Sequence, residues 1–175
     1  MTSARFAVLG VCLLAASVMT RATVADENFD LQTFLASNEL EPVRSPDRVE
    51  SQPVEVIREP AEPGRLGRWV FRRLPEPLPL PGPVMAELSS LLLAAESYLP
   101  AYKFCGFQPV IAFRFWRGPD AIDVLICFKC SELAFEKVGT QSNLGRKIPF
   151  DPSRAKLARL VRQSRPDDQT FKDIK

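Results

Sequence analysis

Val110-Ile-Ala-Phe-Arg-Phe-Trp116, then Arg117-Gly-Pro-Asp120, then Ile122-Asp-Val-Leu-Ile-Cys-Phe-Lys-Cys130: these three stretches decide the fold. The first and third are dense in β-branched and aromatic residues, and the middle one is a turn signal, so together they read as a β-hairpin. Alternation sets the faces. Ile111, Phe113 and Phe115 share one side of the first strand, and Ile122, Val124, Ile126 and Phe128 share one side of the second. A four-residue loop, 117–120, pairs Trp116 with Ala121 and Phe115 with Ile122, so that apolar faces apolar throughout. The same register sets Arg114 opposite Asp123 on the other side, as a cross-strand ion pair. A one-residue slip would place Phe115 against Asp123. Leu133–Val138 reads as a third strand.

Extending the register places Phe107 opposite Cys130 and makes Cys105 its diagonal neighbour on the buried face, with Cys127 on the opposite face. Within a strand, Cys127 and Cys130 would have Cα atoms roughly 10 Å apart, whereas a disulfide needs them within about 7 Å. The expectation is therefore a Cys105–Cys130 disulfide with Cys127 free. A bulge at Gly106 or Pro109 would exchange the roles of Cys127 and Cys130. Closing such a loop contributes about 3 kcal/mol in the chain-entropy view.

The chain has no histidine. This removes Ser-His and Cys-His nucleophile pairs and imidazole metal ligands, and no GxSxG, GxxxxGK or HExxH pattern is present. Two readings of the CxxC remain beside the staple. One is a redox dithiol of Cys127 and Cys130, although such motifs usually open a helix rather than end a strand. The other is a zinc site of Cys105, Cys127 and Cys130, one ligand short of the usual four. Asp120, Asp123, Glu132 and Glu136 read as surface strand and turn carboxylates. The chain reads as non-catalytic, with no cofactor.

Helices flank the sheet. Pro83–Leu99 carries an apolar stripe of Val84, Leu88, Leu91, Leu92, Ala95 and Leu99, and Pro100 ends it. In the segment 151–165, Asp151 is a candidate N-cap, Pro152 stands at N1 and Arg residues load the last turns. Its basic face, Arg154, Lys156, Arg159 and Arg162, lacks interleaved aromatics and reads as solvated rather than as a nucleic-acid or lipid surface.

The N-terminus reads as a secretory signal peptide, 1–25: a short n-region with Arg5, an uncharged apolar run from Phe6 to Met19, and small residues before cleavage after Ala25, or else after Ala22. That run is too short for a bilayer span, which needs about 20 residues, so the mature chain carries no span. Cys12 falls within it, leaving three mature cysteines, an odd number for an oxidising compartment.

Residues 26–83 read as an acidic, Pro-rich, mostly disordered tether. Ten of the 16 prolines lie there, and Pro75–Pro83 suits a polyproline spacer. Two short elements stand out in it, a helix over Asp30–Leu40 and an edge strand over Arg68–Leu74. Asp26–Pro63 has ten acids against three Arg, net −7, while Gly64–Lys175 is net +7. An acidic tether on a basic domain keeps a protein soluble.

Cys105-Gly-Phe107, Phe113-Arg-Phe-Trp116, Asp123-Val-Leu-Ile-Cys-Phe-Lys-Cys130 and Phe150-Asp-Pro152 resemble the motifs of a group of uncharacterised small exported bacterial proteins, over residues 102–165. The resemblance implies export and a shared domain, and carries no catalytic residue across. The expectation is a small α+β domain over 84–175, a two- to three-stranded antiparallel sheet packed on two helices. It would be periplasmic or secreted and act on a protein or cell-envelope partner.

Overall fold

The computed structural model describes residues 30–58, 69–101, 103–139 and 147–174. The signal peptide expected over 1–25 lies outside the described residues.

The central hairpin has the expected register. β4 (Ile111–Arg117) and β5 (Asp120–Cys127) pair Phe113 with Val124, Arg114 with Asp123 and Phe115 with Ile122. The turn is tighter than expected, because Arg117 pairs with Asp120 and leaves only Gly118-Pro119 between the strands. Gly118 has φ +54°, the left-handed value that the first central position of a primed hairpin turn requires and that glycine adopts without strain. β6 (Glu132–Lys137) and the two-residue β7 (Ile148–Pro149) extend the sheet on one side.

The sheet does not stop there, and the fold class expected from the sequence is wrong in its sheet and helix count. Among the described residues there are seven antiparallel strands rather than two or three, and four α-helices rather than two. The missing strands come from the segment read as a tether. β1 (Arg48–Arg58) lies beside β4, with Val49 opposite Phe115 and Ser51 opposite Phe113. On its outer edge run β2 (Trp69–Arg73) and then β3 (Leu78–Pro79), both antiparallel to it.

Proline is tolerated here for a definite reason. The Pro53 carbonyl accepts from Leu74 N on the outer edge, so the N–H that Pro53 lacks would also have faced that edge, at the break between β2 and β3. The break itself holds Pro75 and Pro77, with Glu76 at φ +75° between them. Only β2 of these three was legible.

The second half of β1 and β2 contribute side chains to the face away from the helices. Val54 and Phe71 thus join Ala112, Leu125, Cys127, Ala134 and Phe107 in a small second cluster.

The main core lies on the other face. α1 (Leu31–Ala36), α2 (Glu41–Arg44), α3 (Gly82–Leu93) and α4 (Arg154–Ser164) deliver Phe34, Val43, Leu88, Leu92, Leu157, Leu160 and Val161 onto Phe113, Phe115, Val124, Ile126 and Phe135. α3 is shorter than the 83–99 expected, giving way at Ala95 to a 3-10 turn. Tyr98, buried just beyond, donates its hydroxyl to the Leu92 carbonyl at 2.6 Å, and burial pushes the phenol pKa strongly upward. At the start of α4, Asp151 does not cap the helix. It opens a 3-10 turn and pairs with Lys103 instead.

Candidate functional site

Two groups of polar side chains sit on the second face, and the cysteines define the first. β5 ends at Cys127 and a turn over residues 128–131 leads into β6, with Ser131 at φ +53°. Arg154, at the start of α4, clamps that turn by donating to the Phe128 carbonyl and, at 2.7 Å, to Ser131 Oγ. Lys103 Nζ donates to the Cys130 carbonyl at 2.9 Å.

Cys105 and Cys130 are joined in a disulfide, with Cα atoms 5.9 Å apart. The geometry differs from the extrapolated one. Because the strand stops at Cys127, its alternation does not run on to Cys130, and all three cysteines belong to the second cluster with Phe107. Cys127 therefore packs in the same cluster as the disulfide and not across the sheet from it. It is a free thiol, fully buried, and its sulfur accepts from Gln108 N at 3.3 Å.

Directly opposite Cys127 on β6 stands Glu132. Sequence reading placed it on the surface, yet it is only 2% exposed, and its Oε2 has no hydrogen-bond partner. Burial pushes its pKa above the usual carboxylate range, while Lys147 and Lys103 pull it down and Asp151 pushes it up. A raised carboxyl means that the folded chain holds this proton to higher pH than the unfolded chain does. The stability Glu132 allows is thus fully present below its unfolded value and is lost as pH rises through its folded one.

Glu132→Gln is accordingly expected to raise unfolding stability at pH 8 by about 1 kcal/mol, the scale of one unsatisfied buried polar group, and to change nothing at pH 4. Urea unfolding at the two pH values checks this; equal differences at both would contradict it. The neighbouring carboxyl of Glu136, also raised by burial and opposed by Arg73, keeps part of the pH slope in the variant.

Asp123 centres the second group. Its side chain is fully buried. Arg114 donates Nε to Oδ1 at 2.8 Å and Nη2 to Oδ2 at 3.0 Å, a bidentate fork. Arg73, folded over from β2, pairs with the same carboxylate. The Arg114–Asp123 contact is the expected cross-strand pair, but Asp123 is not a surface carboxylate. Arg73 was missed because its contact crosses from β2 to β5, a distance that no local pattern encodes. Beside this group Trp116 donates Nε1 to Glu50 at 3.2 Å, with the Arg48 guanidinium 4.4 Å above its ring.

The arginines of α4 are structural clamps as much as solvated charges. Arg159 pairs with Glu87 of α3, Arg162 donates to the Ile174 carbonyl, and the buried Arg165, just past the helix end, donates to the Ser51 carbonyl of β1 at 3.0 Å. Basic charge so engaged is a poor anion site. An open hollow of about 310 Å³ between α2 and α3, lined by Arg44, Met85, Ser89 and Leu93, holds no convergent set of ionisable groups.

Chemically, the site defines a disulfide-stapled antiparallel sheet carrying one sequestered thiol beside a buried carboxyl. With Cys105 and Cys130 oxidised, Cys127 is the only thiol among the described residues, so the zinc arrangement of Cys105, Cys127 and Cys130 would require the reduced chain. The described residues contain no helix long and apolar enough to cross a membrane. No protein-family model, curated protein or solved structure matches the chain.

Proposed function

We propose that the protein is an exported, non-catalytic domain that acts by binding a protein or cell-envelope partner, its sheet held by the Cys105–Cys130 disulfide. The observation that carries this reading is the bond itself. It ties the segment entering β4 to the β5–β6 turn, and such bonds persist in oxidising compartments. The signal-like N-terminus and the resemblance to small exported bacterial proteins support the same destination.

The polar groups on the second face support binding rather than chemistry, because most of their hydrogen-bonding capacity is spent inside the fold. Thiol titration in denaturant and metal analysis of the exported chain test the reading. One thiol per chain and no stoichiometric metal are expected. Three thiols, or a metal bound one to one, would reject it.

A further inference from the structure

Beyond a static staple, we propose that the Cys105–Cys130 disulfide is exchangeable from within: Cys127 attacks Cys130, with Glu132 as proton acceptor, and releases Cys105 as a surface thiol. The placement of four side chains argues for this. Cys127 ends β5 and Cys130 lies within the turn that follows it, both buried, at 0% and 6% exposure. Cys105 belongs to a different segment and is only partly buried. The nucleophile and the attacked sulfur thus lie in one cluster at the end of the hairpin, while the leaving sulfur is the less deeply buried one. Glu132 stands directly opposite Cys127, where cross-strand Cβ atoms are about 5 Å apart, and it holds an unpartnered oxygen in a buried position.

The groups facing Glu132 are Cys127, Lys103, Lys147 and Asp151. The two lysines favour negative charge at this corner, whether on Glu132 or on a departing thiolate; Lys103 lies two residues from Cys105. Lys147 also sits 5.4 Å from the centre of the Phe107 ring that roofs the cluster.

The step balances without an outside oxidant. Glu132 takes the proton of the Cys127 thiol. The sulfur electron pair forms a bond to Cys130 Sγ, the Cys105–Cys130 bond breaks, and its electron pair leaves on Cys105 Sγ, which is protonated by solvent as Glu132 gives its proton back to solvent. One thiol and one disulfide remain, as before. What faces outward is now a thiol, whose partner chemistry is a disulfide on another molecule. This proposal is independent of the binding reading above, since it concerns only the state of the three sulfurs.

The test is trapping under native conditions. The mature chain is incubated with iodoacetamide at pH 8, quenched in acid and mapped without reduction. Carbamidomethyl on Cys105 together with a Cys127–Cys130 bond is expected, and oxidised glutathione should form a mixed disulfide at Cys105. Cys127→Ala should leave Cys105–Cys130 intact and unlabelled. Glu132→Gln should give the same products at least tenfold more slowly, with a shifted pH–rate profile that a purely structural role would not produce. Label on Cys127 or Cys130, no label before denaturant is added, or an unchanged rate in Glu132→Gln would overturn the proposal.

Discussion

A chain beginning at Val84 is expected not to fold. Sequence composition made 84–175 look like the whole domain, but residues 30–58 supply Phe34, Leu35, Leu40, Val43 and Val49 to the main core, each at most 9% exposed. Burying a side chain of this kind contributes about 2 kcal/mol. Losing five removes about as much as the whole net stability of a typical domain. The deletion also strips β1 from β4, leaving an open apolar edge in mid-sheet, which invites aggregation. Far-UV circular dichroism and urea titration of the 84–175 fragment check the expectation. A soluble fragment with a cooperative transition would show that the N-terminal strand is dispensable.

Asp123→Ala is expected to destabilise the chain by about 3–5 kcal/mol, the range for removing one partner of a buried ion pair. The cost comes less from the lost attraction than from what remains. Arg73 and Arg114 would face one another at a partly buried point, with Glu136 acting on Arg73 and Glu50 on Arg114 but no bidentate partner between them. Burial already lowers the pKa of both guanidiniums, and the Arg114 charge lowers that of Arg73 further. Replacing all three together, as Asp123→Leu with Arg73→Met and Arg114→Met, should cost far less, because no orphan charge is left. Urea midpoints for the single and triple variants decide it. A single variant within about 1 kcal/mol of the parent would mean that the cluster is solvated.

The central hairpin was legible because two independent signals agreed. Gly118-Pro119 marks the turn, and one register alone puts apolar against apolar and Arg114 against Asp123. β1 was not legible because its sequence, Arg-Val-Glu-Ser-Gln-Pro-Val-Glu-Val-Ile-Arg, carries the charge and proline of a solvated segment. What places it in mid-sheet is tertiary: β4 offers an unpaired edge, and Pro53 happens to turn its missing donor toward the gap between β2 and β3. The helix expected over Asp30–Leu40 is present as α1 and a following 3-10 turn, Asn38–Leu40, whereas α2, which carries Val43, is four residues long and too short to show a helical period.

The cysteines show a third kind of failure. The bond joins Cys105 to Cys130, but alternation was extrapolated past the end of a strand, so the depth of Cys127 and its position beside the disulfide were missed. Glu132 was missed with it, since a carboxylate next to a turn gives no sequence sign of burial.

The most direct test of an exported, stapled domain is to express the full chain in a secreting bacterial host, acid-quench the exported fraction and map its peptides without reduction. The account predicts an N-terminus at Asp26, a Cys105–Cys130 linked pair and a thiol at Cys127. A chain that keeps Met1, stays in the cytoplasm and carries all of Cys105, Cys127 and Cys130 as thiols would contradict it.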